Sequence, residues 1–130
     1  DGDGCFQMTC QEFITATTEN IPIKIVVFNN GNHGMVRQWQ KIFYNSKFSA
    51  SELGHVVPDY VKLAESMGAV GLRMIKKSEV KNVFSEMLKI NDRPVLIDCV
   101  VDPEDMVFPM VPAGGSNDQI ILDEEDLKNL

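Results

Sequence analysis

The sequence has 130 residues, 44% hydrophobic, 24% charged and 8% aromatic. These fractions are ordinary for a folded domain and exclude a collagen-like, mucin-like or broadly disordered chain. The length suits one compact domain, read here as 1–130 with an irregular tail over 102–130. Twelve Lys and Arg against nineteen Asp and Glu leave a net charge of −7. Without a basic cluster the chain is a poor partner for nucleic acid or an anionic membrane surface. The longest apolar runs, such as Ile25 to Phe28, fall far short of the roughly 20 residues of a membrane helix. The opening Asp1-Gly2-Asp3-Gly4 is neither basic nor apolar, so no signal peptide is expected. Cys5, Cys10 and Cys99 form neither an even framework nor a CxxC pair, and read as thiols of a reducing, cytoplasmic compartment.

In chain order, Cys5 to Glu19 has a helical period that puts Phe6, Cys10, Phe13 and Thr17 on one face. Ile23 to Phe28 is a nearly continuous β-branched run, the signature of a strand buried on both faces. After Gly34, a helical stripe runs through Met35, Val36, Trp39, Ile42 and Phe43. Phe48 to Val57 reads as a surface loop. Pro58 is expected at the first position of a helix with Val61, Ala64 and Met67 inward. Ala69 to Ile75 is a second, weaker buried strand. Ser78 is the expected N-cap of a helix carrying Val80, Val83, Phe84, Met87 and Leu88. Pro94 leads into a third apolar strand, Val95 to Val101. Asp123 to Leu130 is expected to form a short acidic helix. The alternation predicts an α/β fold, a parallel sheet flanked by helices.

The chemistry-bearing signal is a pair of turns. Gly2-Asp3-Gly4 opens the first helix, and Asn29-Asn30 closes the first strand, with 24 residues between Gly4 and Asn29. In a parallel α/β unit both turns emerge at the C-terminal edge of the sheet, where ligands bind. Asp3 offers a carboxylate and Asn30 an amide oxygen, hard ligands suited to Mg²⁺. Gly2 and Gly4 allow close backbone approach to a phosphate, and the helix start near Cys5 presents N–H groups to an anion. Taken singly, a GDG is a common turn and Asn-Asn commonly caps a helix or makes an Asx-turn. Together, at this spacing, they point to a metal–diphosphate site. Such a turn normally hangs from a strand, and only Asp1 precedes it; the expectation is a partial domain of a larger protein, lacking its N-terminal strand and helices.

With these residues in view, the GDG-to-NN pattern resembles the thiamine diphosphate motif. Gly34-Met35-Val36-Arg37-Gln38-Trp39-Gln40, Phe43-Tyr44 and Pro58-Asp59-Tyr60-Val61-Lys62-Leu63-Ala64 resemble the large catalytic subunit of the acetohydroxyacid synthase (acetolactate synthase) family. Arg93-Pro94-Val95, Asp102-Pro103-Glu104 and Pro109-Met110-Val111-Pro112-Ala113-Gly114 continue the match. The resemblance covers nearly the whole chain, but only the C-terminal diphosphate-binding domain of a three-region enzyme. It implies condensation of pyruvate with a second 2-keto acid (pyruvate or 2-ketobutyrate), with loss of CO₂, for branched-chain amino acid synthesis. It implies thiamine diphosphate and Mg²⁺ as cofactors, with FAD on a region outside this chain. A homo-oligomer is implied, and a regulatory small subunit is admitted as a further partner.

Position by position, the resemblance makes Asp3 and Asn30 the side-chain Mg²⁺ ligands and the Asn32 carbonyl the third. It puts Gly2, Gly4 and Cys5 near the diphosphate, and Gly34 and Met35 against the cofactor. Val36 and Trp39 match a substrate channel where sulfonylurea-type inhibitors bind in the family; by spacing alone they read as ordinary helix packing. In the family a glutamate of another domain engages the pyrimidine ring. No residue here matches it, so no catalytic residue is assigned and the chain alone is expected to be inactive.

Other titratable residues carry less. His33 is not given a catalytic role, and His55 has no partner that sequence names. Glu12 is expected to make a structural helix-to-loop hydrogen bond, and Asp123 to Asp126 a solvated face. Thr9, Cys10, Asn32-His33 and the loop after Phe48 depart from the family pattern, which bears on substrate preference. Two rival readings stay open: a related thiamine diphosphate-dependent decarboxylase or carboligase, and a non-catalytic diphosphate-binding or assembly module.

Overall fold

A computed structural model describes residues 1–54 and 57–129. The chain divides into two compact units, Asp1–Asn32 with Leu53–Pro103, and His33–Glu52 with Glu104–Leu130.

The first unit is a sheet of three parallel strands, β1 (Lys24–Asn29), β2 (Val70–Met74) and β3 (Val95–Val100), in the order β1-β3-β2. Helices α1 (Asp3–Thr9), α2 (Phe13–Thr18), α4 (Tyr60–Ser66) and α5 (Val80–Lys89) flank it, as the alternating pattern predicts. α3 (Gly34–Phe43) belongs to the second unit. Of the three strands expected to be buried on both faces, only β3 is: Val95, Leu96 and Ile97 are fully buried, whereas Phe28 of β1 is 55% exposed. The reason is placement, because β3 has a neighbour on each side and β1 and β2 lie at the edges.

Alternation along the strands sorts the core into two faces. On one, Val27 and Leu96 pack with Phe6, Phe13, Tyr60 and Ala64. Phe6 meets the rings of Phe13 and Tyr60 edge-on at centroid distances of 6.3 and 6.0 Å. On the other, Ile97, Val95 and Met74 pack against Met87, with Val83 and Phe84 partly buried beside them. Each large side chain so buried contributes roughly 1.5–3 kcal/mol. Gly71 lets α4 lie close on β2: a Cβ there would sit 2.6 Å from the Val61 carbonyl oxygen.

Three helix boundaries differ from expectation. The first helix begins at Asp3 rather than Cys5, and a 3-10 turn at Cys10–Glu12 separates α1 from α2. Pro58 lies outside α4; Asp59 is the cap, its carboxylate accepting the Lys62 N–H. Ser78 is not the N-cap of α5 but lies in a 3-10 turn, Lys77–Glu79. Glu79 closes that corner by accepting the N–H groups of Ile75 and Lys76 at 2.8 and 2.9 Å, and Leu88 faces outward at 63% exposure.

In the second unit, α3 buries Gln38 rather than its apolar stripe. The Gln38 amide clasps Val107, donating to its carbonyl at 2.9 Å and accepting its N–H at 2.8 Å. Arg37 and Lys41 pair with Glu104. Met110 and Ile121 exchange backbone hydrogen bonds at 2.9 and 2.8 Å. In place of the expected acidic helix, the described end of the chain is a 3-10 turn, Asp126–Asn129. No helix among the described residues is long and apolar enough to cross a membrane.

Candidate functional site

The face of the sheet that packs on α1 and α4 is apolar along most of its length and polar at its C-terminal rim. Val27 is followed on that face by Asn29, Leu96 by Asp98, and Gly71 by Arg73. Val27 and Arg73 are the register partners of Asp98 on either side. The polar row ends where the two sequence-predicted turns emerge. Gly2 is bridged in parallel to Phe28, so the first turn runs alongside the end of β1.

Asp3, the first residue of α1, is 1% exposed. Its Oδ1 accepts the Gly4 N–H at 2.9 Å, and its Oδ2 accepts the Gly31 N–H at 2.7 Å. The second bond joins the two turns, since Gly31 directly follows Asn30. Gly31 has φ +68°, a left-handed conformation that suits glycine. Asn30 forms an Asx-turn, its Oδ1 accepting the Asn32 N–H at 3.0 Å, while Asn32 Nδ2 donates to the Asn30 carbonyl at 2.6 Å. Asp3, Asn30 and Asn32 thus lie together at one rim. Among the described residues no Lys or Arg pairs with Asp3.

Gly2 is extended (φ −80°, ψ 153°) and a Cβ there would meet nothing within 4 Å. Neither backbone nor packing calls for glycine; its effect is to leave open space beside the turn. Gly4 is buried, and the Cys5 side chain is exposed.

Sequence reasoning missed the residues that brace this rim. Tyr60, fully buried, donates its hydroxyl to the Asp3 carbonyl at 3.2 Å and accepts from Gln7 Nε2 at 3.0 Å. Burial raises its pKa, the Gln7 hydrogen bond opposes that, and the Asp3 charge adds to the rise. Asp98 accepts from Asn29 Nδ2 and from Arg73 Nε, both at 2.9 Å, and Arg73 also reaches Asp59 at 2.6 Å. The Asp98 hydrogen bond, above all, holds the Arg73 pKa above its ordinary value. For Asp59, partial burial pushes upward but is outweighed by the Lys62 N–H and by Arg73, so its pKa is lowered. A signal was available: a charge inside each of two apolar strands, of opposite sign, is unusual unless the two pair.

In the second unit, Gly34 opens α3, and Met35 and Val36 are 52% and 50% exposed. With Trp39 and Tyr44 they line a cavity of about 540 Å³. The Trp39 ring meets that of Phe43 at a tilt of 49°, with centroids 4.9 Å apart. His33 is exposed at the N-cap position without a side-chain cap bond, and its N–H donates to the Ser51 carbonyl at 2.7 Å. Glu12 is exposed and makes no helix-to-loop hydrogen bond among the described residues, contrary to expectation. Asp123 and Asp126 cap their own turn at the surface. His55 lies outside the described residues.

Residues 1–99 match a family described as thiamine pyrophosphate enzyme, C-terminal TPP binding domain. The chain is 54% identical over 123 residues to an acetolactate synthase of Mycobacterium avium, covering 92% of this chain and 20% of that protein. It is 51% identical to the acetolactate synthase large subunit of Corynebacterium glutamicum, with the same coverage. Against the chloroplastic acetolactate synthase 1 of rice, identity is 38% over 129 residues, 95% of this chain and 20% of that one. A solved structure, a thiamine diphosphate-dependent 4-hydroxybenzoylformate decarboxylase of Rhodococcus jostii, aligns with TM-score 0.68 at 27% identity, over 78% of this chain and 19% of its own. The chain therefore spans about 20% of the length of the curated relatives it matches. With its paired turns at the rim of a parallel sheet and this match over three-quarters of its length, the chain belongs to the thiamine pyrophosphate enzymes, as a C-terminal TPP-binding domain.

Proposed function

We propose that this chain is the diphosphate-binding domain of an acetolactate synthase large subunit, and that its rim holds Mg²⁺ together with thiamine diphosphate. The observation that carries the metal reading is the buried Asp3 carboxylate, tied to the Asn30 turn through Gly31 and paired with no cation among the described residues. A buried carboxylate without a positive partner is costly, and a divalent ion removes that cost. The donors fit: each Asp3 oxygen and the Asn30 amide oxygen accepts one N–H and keeps a second lone pair. With the Asn32 carbonyl they make a small set of hard oxygens, as Mg²⁺ takes when phosphate completes its shell.

Bound thiamine diphosphate supplies the electron sink for decarboxylating a 2-keto acid. The chain's own part is to bind and orient. Asp3, Asn30 and Asn32 hold the metal, the space beside Gly2 admits the diphosphate, and Gly4 and Cys5 flank it. In the second unit, the reading assigns Gly34 and Met35 to cofactor contact and Val36 and Trp39 to an apolar substrate channel. The substrates are pyruvate and a second 2-keto acid, pyruvate or 2-ketobutyrate, and the product feeds branched-chain amino acid synthesis. A cytoplasmic homo-oligomer that also carries FAD on another region, and that a regulatory small subunit can join, goes with this reading. The 130-residue chain alone is inactive, having no residue matched to the glutamate that engages the pyrimidine ring.

The test is acetolactate formation from pyruvate by the intact protein with Mg²⁺ and thiamine diphosphate, alongside Asp3→Ala. Activity that falls about 100-fold or more in the variant supports the reading. Release of free aldehyde in place of acetolactate would favour a decarboxylase, the activity named for the solved neighbour. Cofactor binding that ignores both Mg²⁺ and the substitution would overturn the metal site.

A further inference from the structure

Asp98 is the feature of the first unit that fold stability explains least. Its side chain is 2% exposed, in the central strand, on a face otherwise filled by Val27 and Leu96. Burying a carboxylate there incurs a desolvation cost that an apolar side chain would avoid, and such pairs are poor sources of net stability. Its partner Arg73 is 39% exposed and also serves Asp59. The second oxygen of Asp98 is spent on Asn29 Nδ2, at 2.9 Å. Asn29 is the residue before Asn30, at the point where β1 ends and the candidate metal turn begins.

Followed outward, the contacts close a ring around the rim. Asp98 holds Asn29 on one side and Arg73 on the other; Arg73 holds Asp59, the cap of α4. The next residue, Tyr60, holds the Asp3 carbonyl, and the Asp3 carboxylate holds Gly31. Both turns that offer metal ligands are therefore anchored to one buried group.

We propose that Asp98, fixed by Arg73, is a positioning residue that sets the Asn30 turn against Asp3 through its hydrogen bond to Asn29. This rests on the metal reading given above. Groups one contact behind metal ligands commonly change metal affinity about 10- to 100-fold when removed. The charge on Asp98 strengthens its bond to the Asn29 amide, and a neutral amide oxygen retains part of that bond.

The test uses the intact protein, with Mn²⁺ in place of Mg²⁺ and free Mn²⁺ counted by electron paramagnetic resonance in the presence of thiamine diphosphate. Asn29→Ala and Asp98→Leu are expected to weaken Mn²⁺ binding about 10-fold or more, and Asp98→Asn, which keeps an acceptor, to restore most of it. The thermal midpoint of the cofactor-free protein is read in parallel, because a purely structural role would lower that midpoint and leave the affinity of the folded protein unchanged. Asp98→Asn does not strand a buried cation, since Arg73 keeps Asp59 and solvent. If Asp98→Leu fails to fold, Asn29→Ala decides from the other partner. Should wild type bind and Asp3→Ala fail to, while Asn29→Ala binds like wild type, the positioning role is wrong and the metal site stands. Should Asp3→Ala bind as well as wild type, the metal reading falls, and this inference with it.

Discussion

Asp3 and Val36 are both candidate site residues, yet the protein treats them in opposite ways. Asp3 is 1% exposed, with both carboxylate oxygens and its carbonyl in hydrogen bonds, and the sheet beneath it is packed on two faces. Val36 is 50% exposed on a helix whose buried residue is Gln38. Residues that must hold a charge in one place are braced by neighbours. Residues offered as an apolar wall are left uncovered within their unit, and their helix is fixed from its polar side. A helix whose glutamine is buried and whose Met and Val are exposed has its packing face and its apolar face turned apart.

Substitutions put that contrast to the test. Leu96→Ala, at the centre of β3, is expected to cost about 2–5 kcal/mol in urea unfolding, whereas Val36→Ala is expected to stay within about 0.5 kcal/mol. Equal losses would erase the distinction. Gly71→Ala should cost about 1–3 kcal/mol, because the added methyl meets Val61 backbone on α4. Tyr60→Phe keeps the ring but removes the hydroxyl that Asp3 and Gln7 share, and about 1–2 kcal/mol should be lost in the same measurement. The smallest effect is a pH dependence. Hydrogen bonds from the Ile75 and Lys76 N–H groups lower the Glu79 pKa. Its contribution is thus full above the ordinary glutamate value and fades as pH falls through the lower folded value. Glu79→Gln should flatten that acid limb in a circular-dichroism titration; an unchanged limb would show that the corner at α5 does not depend on the charge.

The contrast also separates what sequence makes legible from what it does not. The turn, helix, strand, turn order around Asp3 and Asn30 is local, and the continuous apolar run of β3 is local too, so both were readable. Burial of β1 was overestimated because a β-branched run looks the same at the edge of a sheet as at its centre. Pro58 and Ser78 misled because each is a common helix starter, while the residues at the starts of these helices are one further on: Asp59, whose carboxylate caps α4, and Glu79, whose carboxylate instead closes the preceding turn. Tyr60 and Asp98 were invisible as rim residues because their partners lie 57 and 69 positions away. Only the opposite charges within two apolar strands, Arg73 and Asp98, hinted at a cross-strand pair.

The order β1-β3-β2 has a consequence for how the chain reaches its structure. The strand that joins the other two is the last of the three to be synthesised, so β1 and β2 emerge from the ribosome before the strand that pairs with both. Asn29 must wait 69 positions for Asp98, and closing so large a loop is a slow step in folding. Until then the edge of β1 that β3 will cover is open, a state in which a nascent chain is exposed to aggregation and to chaperone capture.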